Sequence, residues 1–263
     1  MLHHELCIKI IYNQYMDRFI THQGDISLWQ IDKKGIASLA KFVVEENFMH
    51  HEGKMLSSCE SSEEYHHVLQ EEQAFYEYSS IIVAKNTQGD IIGAIRIACW
   101  DKNPHTIPLV KLFGDHLIDL EQLRHDHKHL WHIGRFAINR NYTDNGRLFK
   151  LLMLYAISPI FRYNRGVLLA EIDQKLLRTL GALHIQATPL SKGISYLGST
   201  TIPITIYKEG LDEFMLKYAY LAFDIQFRET QRELPEWVKI KPRTQNYPNG
   251  YCQDNQGYRT LQM

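Results

Sequence analysis

Apolar and polar positions alternate along this chain in a way that separates short strands from a few helices. Ile26–Ile31 has the content and alternation of a strand. Asp32 is placed to cap a helix, and Ile36, Leu39, Ala40, Val43 and Val44 recur at the spacing of one helical face. The small, acidic run Ser57–Glu64 leads into a second, mostly polar helix, Glu64–Tyr78. Ser80–Lys85 and Ile91–Cys99 form a hairpin about the turn Asn86-Thr87-Gln88-Gly89-Asp90. Gly93, inside the return strand, predicts a bulge or a close backbone approach. The connection 101–128 carries Pro104, Pro108 and Gly114, with helical character only near Asp119–Leu123.

The stretch Leu130–Leu152 is the centre of the pattern. It runs from an aromatic, β-branched strand through a turn ending in Asn145-Gly146 to a helix in which Leu148, Leu151, Leu152 and Tyr155 share a face. Strand, loop and helix N-terminus in succession can hold an anion, because the first helical N–H groups are unpaired. Gly166–Ile172 is a buried strand, and Asp173 caps a short helix Gln174–Leu180 that Gly181 ends. Ile185–Leu190 and Thr200–Tyr207 read as strands, and Leu211–Ala222 as a last amphipathic helix. The whole is an α/β arrangement around one mixed sheet. It divides into an N-terminal arm, 1–25, with a short helix near Ile8–Phe19, a domain, 26–222, and a polar C-terminal extension, 223–263.

Composition narrows the function classes. With 263 residues, 44% hydrophobic and 22% charged, the chain has ample material for a core. The net charge of −1 gives no electrostatic case for nucleic acid. No apolar run has the length of a transmembrane segment, and Met1–Cys7 lacks the pattern of a secretion signal, so a cytoplasmic location is expected. Cys7, Cys59, Cys99 and Cys252 are far apart and form no CxxC pair. Histidines cluster at His125, His127, His129 and His132; a strand would put the first three on one face. Without HExxH or cysteine partners, no metal is expected there.

Several motifs, in register, resemble the GNAT acyltransferase fold. Gly89-Asp90-Ile91-Ile92-Gly93 is similar to its hairpin, and Leu176-Leu177-Arg178-Thr179-Leu180-Gly181-Ala182 to its Leu-Tyr-x-x-x-Gly-Phe helix end. Trp131-His132-Ile133-Gly134-Arg135-Phe136-Ala137 resembles the Trp-Glu-Leu-Ser-Arg-Phe-Ala strand of acyl-homoserine lactone (autoinducer) synthases. Gly134-Arg135 is also similar to the Glu-Leu-Gly-Arg of ornithine-lipid acyltransferases. Arg96 and the prolines of 101–128 sit where autoinducer synthases have a comparable segment, and Leu176–Ile206 matches the spacing of their last strands. The likeness covers residues 26–220. The region Leu39–Met55 has Lys41, Phe48, His50 and His51 and no Trp, unlike the S-adenosylmethionine side of autoinducer synthases. N-acyl amino acid synthases, which share the fold and take long-chain donors from acyl-carrier protein, are therefore the better match.

The resemblance implies transfer of an acyl group, long-chain in this class, from acyl-carrier protein or acyl-CoA to the amine of an amino acid or related small molecule, with no tightly bound cofactor. The loop positions Thr143, Gly146 and Leu148 lack the basic residue and second small residue of acetyltransferase pyrophosphate loops, and a Leu148 Cβ should crowd coenzyme A. That favours the carrier protein, which Arg140, Arg147 and Lys150 would steer. Asn145, Gly146 and Arg147 are the expected donor loop, and the backbone of Phe136, Ala137 and Ile138 the expected partner of pantetheine.

Acyl transfer to an amine needs a proton acceptor and an oxyanion site. His132 stands where the resembling strand has its Glu, and an imidazole suits a base near neutrality; the alternative is a core histidine bonded to a neighbouring strand. Glu171 is the alternative base. Arg135 is expected on the opposite face of the strand from His132, in a buried salt bridge, and Arg96 either at the cleft or at a solvated strand end. Leu177 replaces the Tyr that many acetyltransferases use as a general acid. Phe149, Met153 and Leu168 are either an acyl tunnel or plain core. Two rival readings remain: a GNAT-like module that binds without catalysis, and an acetyl-CoA-dependent N-acetyltransferase.

Overall fold

The computed structural model describes residues 17–51, 62–100, 107–114, 119–127, 129–162, 166–196 and 199–222. Nine strands form one mixed sheet: β1 (Arg18–Gln23), β2 (Ile26–Gln30), β3 (Ser79–Lys85), β4 (Ile91–Cys99), β5 (His129–Ile138), β6 (Gly166–Asp173), β7 (Thr188–Pro189), β8 (Ile194–Tyr196) and β9 (Ser199–Tyr207). Their order is β1-β2-β3-β4-β5-β6-β9-β7, with β8 also on β9. Neighbours are antiparallel except β5 and β6, which are parallel. The helices are α1 (Ile36–His51), α2 (Glu63–Phe75), α3 (Pro108–Phe113), α4 (Leu120–Asp126), α5 (Asn145–Arg162), α6 (Gln174–Ala182) and α7 (Asp212–Tyr218). This mixed sheet flanked by helices is the GNAT-type architecture that the motif order implies.

One face of the sheet, with Ile82, Ile95, Ile97, Trp131, Ile133, Leu168 and Ala170, packs on Leu148, Leu151, Leu152 and Tyr155 of α5. The α5 stripe works because its apolar side chains recur every three to four residues. Gly93 answers to both halves of its expectation. A Cβ there would lie 2.9 Å from Leu152 Cδ1, so α5 approaches the sheet at that point, and the β3–β4 register shifts between Ala84 and Lys85. On the opposite face Ile81, Val83, Ala94 and Ala137 meet Leu39, Phe42 and Val43 of α1. Farther along, Leu130, Val167 and Leu169 meet Ile107, Leu109, Val110 and Leu120. Helix α2 is bound to α1 through Ala40, Val44, Tyr65 and Val68.

Several sequence expectations change. Phe19 lies in β1 rather than at the end of a helix, because β1 pairs along β2 from Arg18↔Gln30 to Gln23↔Ile26; the remainder of Ile8–Phe19 lies almost wholly outside the described residues. The connection before β5 holds a helix, α3, that the sequence pattern did not call, with Pro108 at its first turn. The histidines do not form a strand row: His125 is in α4, His127 caps it, and only His129 and His132 are in β5. Of Ile185–Leu190 only Thr188–Pro189 is strand, and β8 supplies the other short partner of β9. Gly181 lies inside α6 rather than beyond it; the left-handed residue is His184, φ 63°. Leu211–Ala222 keeps a regular helix only over Asp212–Tyr218.

The sheet splits between β5 and β6. β5 and β6 pair from His129↔Gly166 to Ile133↔Ala170 and then part. Past Ile133, the side of β5 that faced β6 has no strand partner among the described residues, although β4 still pairs with Ala137 and Ile138 on the other side. The β4–β5 register shifts between Ala94 and Arg96, leaving Arg135 and Phe136 in a bulge with Arg135 at φ 53°. The bulge inverts the alternation of β5. Leu130 and His132 face the helices α1–α4, whereas beyond the bulge it is Ala137 that does so.

Candidate active site

The parting of β5 and β6 opens a cavity of about 380 Å³ that reaches both faces of the sheet. On the α5 face its walls include Met153, Leu168, Ala170, Leu180, Ile204 and Ile206. On the other face they include His67, Glu71, Arg96, His132, Arg135 and Glu171. An apolar pocket and a charged one thus meet where the strands separate, at Gly134 and Glu171.

His132 and Glu171 form a pair at this junction. His132 Nε2 lies 2.9 Å from one Glu171 carboxylate oxygen and 3.3 Å from the other. The strand register brings them together: His132 faces Leu169, so Glu171 lies two residues farther on the same face of β6. The His132 side chain is 3% exposed and that of Glu171 10%. His132 Nδ1 is buried and has no hydrogen-bond partner among the described residues. Glu171 is therefore the more exposed member of the pair, and the imidazole is the more enclosed.

Beside this pair lies a buried ionic cluster. Arg96, 1% exposed, donates to Glu72, which is fully buried on α2. Arg135 Nε donates to the same Glu72 oxygen at 2.7 Å, and Arg135 Nη2 lies 2.7 Å from Glu71. The Arg96 guanidinium also lies over the Phe75 ring, 4.3 Å from its centre. Burial pushes the Glu71 carboxyl up, but Arg135 and then Arg96 pull it down harder, and it is held below the usual carboxylate range. Burial opposes the charge on Arg135, yet Glu72 and Glu71 raise its pKa further. Burial also raises the Tyr196 phenol; Arg135 opposes this, and Glu71 and Glu171 add to it. Gly134 is required by close packing here: a Cβ would stand 3.0 Å from Arg96 Nη2 and 3.3 Å from His132 Cε1.

Arg135 corrects the sequence expectation. Strict alternation puts it opposite His132, but the bulge turns it to the same cavity; the expected buried salt bridge is present on that side. Arg96 lines the cavity rather than a solvated strand end. Met153 and Leu168 line the apolar half, while Phe149 packs edge-on against Phe136, ring centres 4.8 Å apart. Leu148 is fully buried against the sheet beside Gly93, so its side chain packs in the core. Asn145, Gly146 and Arg147 open α5 and are not among the cavity walls. Asp144 accepts from the Arg147 N–H at 3.2 Å, so a carboxylate already serves that helix end. The Arg147 side chain bonds the Gln23 carbonyl at 2.9 Å and lies 3.7 Å from Asp25.

Sequence reasoning missed Glu71, Glu72, His67 and Tyr196. A signal for Glu72 was present: Tyr65, Val68, Glu72 and Phe75 occupy one helical stripe and are the buried residues of α2. Among the described residues no group of three or more metal-ligating side chains comes together, and no helix is long and apolar enough to cross a membrane.

Comparison with known proteins shows the family. The profile of the family described as N-acyl amino acid synthase FeeM matches residues 36–179. The chain belongs to that family, and it is an N-acyltransferase of the autoinducer and N-acyl amino acid synthase type. Among solved structures it is similar to FeeM, an N-acyl amino acid synthase from uncultured soil microbes, with 14% identity over 76% of this chain and 96% of that one and a TM-score of 0.49. It is similar to the acyl-homoserine lactone synthase LasI, with 13% identity over 73% and 90% and a TM-score of 0.44. An uncharacterized protein from Bacillus halodurans gives 11% identity over 81% and 100% and a TM-score of 0.48. Comparison with curated protein sequences gives no significant match.

Proposed function

We propose that this protein transfers a long-chain acyl group from acyl-carrier protein to the amine of an amino acid. The observation that carries this reading is the single cavity whose apolar and charged halves meet at the His132–Glu171 pair. The thioester carbonyl sits at the junction with its acyl chain toward Met153, Leu168 and Ile204. Pantetheine enters along Phe136, Ala137 and Ile138, where one side of β5 has no strand partner among the described residues and offers its backbone groups. The amine approaches from the charged half. Its nitrogen attacks the carbonyl carbon, the C–S bond breaks, and the pantetheine sulfur leaves as a thiolate that takes a proton. The proton lost from nitrogen goes to Glu171, with His132 behind it as a hydrogen-bonded partner that holds the carboxylate and shares the charge.

The reversal of roles relative to a His132 base follows from exposure: both ring nitrogens are enclosed, one against Glu171 and one in the protein. Asp144 supports the carrier protein as donor. A carboxylate at the start of α5 opposes the extra negative charge of a coenzyme A pyrophosphate there, whereas a carrier's single phosphodiester demands less.

The test is release of carrier thiol from purified protein with acyl-carrier protein or acyl-CoA and a panel of amino acids. Glu171→Gln should lower turnover by roughly 10²–10⁴-fold with the thermal melt preserved. His132→Gln should lower it less, because the amide still hydrogen-bonds the carboxylate. A larger loss for His132→Gln returns the base to the imidazole. Turnover with acyl-CoA alone overturns the donor assignment, and absence of transfer from either donor favours the non-catalytic binding module.

A further inference from the structure

Most charges in the polar half of the cavity are already matched. Arg96 and Arg135 are paired with Glu72 and Glu71, and Glu171 with His132. Asp173 accepts from the Leu176 N–H at 2.6 Å as the cap of α6. Besides Tyr196 and Thr201, the cavity wall includes three more polar side chains, one from each of three helices: Asn47 of α1, His67 of α2 and Lys111 of α3. None of them has a hydrogen-bond or ion-pair partner among the described residues. His67 and Lys111 both help to hold the Glu71 carboxyl down, after Arg135 and Arg96. Since Glu71 is ion-paired with Arg135 at 2.7 Å, its charge is largely met, and the ammonium, imidazole and amide remain available.

We propose that Asn47, His67 and Lys111 are the residues that hold the α-carboxylate of the amino acid acceptor and so set its preference over the corresponding simple amine. This rests on the transferase reading and deepens it. A lysine ammonium, an imidazole and a neutral amide on three separate helices line one cavity, and each carries an N–H donor that a carboxylate can accept. The zwitterion then spans the charged half, with its carboxylate toward the helices and its nitrogen toward Glu171. Glu171 disfavours a second anion beside itself, so the orientation is set from both ends. Acceptor specificity then divides between this carboxylate site and whatever wall the side chain meets.

Two measurements test the proposal. The first compares phenylalanine with phenethylamine, and leucine with isopentylamine, as acceptors. In the wild type kcat/KM should favour the amino acid by at least about tenfold, as expected for a charge-assisted contact. Lys111→Met should collapse that preference toward unity, chiefly by raising KM for the amino acid. Lys111→Arg should restore part of it. Equal use of amine and amino acid by the wild type, or a Lys111→Met loss that falls equally on both, overturns the proposal. The second is calorimetric titration of the same amino acids, which is independent of turnover. Wild-type binding that Lys111→Met and His67→Ala each weaken about tenfold supports the site; binding unaffected by both overturns it. Protein that binds the amino acids through Lys111 without acylating them refutes the transferase reading and leaves the carboxylate site standing.

Discussion

The two halves of the cavity are held by opposite means. The apolar half is continuous with the main core: Met153, Leu168 and Ile204 belong both to its wall and to the packing between sheet and α5. Its stability is spread over many nondirectional contacts, so each residue contributes its own burial. The polar half rests on a few directional bonds, and its central member, Glu72, is fully buried with two guanidiniums on one oxygen. Removing one partner there leaves charges with nowhere to go. One strand supplies both halves. Above the bulge, His132 faces the charged side and Ile133 the apolar side; the bulge then turns Arg135 back to the charged side.

The sharpest way to break this contrast is Glu72→Ala. It leaves Arg96 and Arg135 to share Glu71, and should cost about 3–5 kcal/mol in urea unfolding. A cost below that of an apolar truncation would mean that the cluster is not what holds α2 to the sheet. The matching change in the other half, Met153→Ala, should cost about 2 kcal/mol, at the low end for a buried methionine because its site already borders a cavity. It should leave the preference for amino acid acceptors intact, measured by competition between phenylalanine and phenethylamine.

A smaller effect separates Glu71 from Glu72. The Glu71 carboxyl lies below its ordinary value of 4.5, because Arg135 and Arg96 outweigh the burial that raises it. A lowered folded pKa gives stability that is present above the unfolded pKa and lost as pH falls through the folded one. The stability gap between wild type and Glu71→Gln should therefore be constant near neutrality and shrink below about pH 4.5. A gap that does not change with pH would mean that Glu72 alone neutralises Arg135.

Much of the fold was legible before the structure. The hairpin Ser79–Lys85 to Ile91–Cys99, the unit from β5 through α5 to β6, and the Asp32 and Asp173 caps were all readable, because periodicity and capping are local. Pairing of His132 with Glu171 was less so. Both residues were candidates, but as rivals; parallel registration of β5 on β6 made them partners.

The amino-acid sequence by itself determined the order of the elements, the Gly134-Arg135 position in β5 and the presence of titratable groups at 132 and 171, since each depends on residue type and spacing along one chain. Tertiary structure alone decided which way Arg135 points, that His132 and Glu171 are partners, and that Glu72 reaches a strand residue 63 positions away. A bulge shifts the two-residue period of a strand, and a helix chooses its burial partner only when the sheet beneath it exists. Those are properties of packing between distant segments, and no local pattern encodes them.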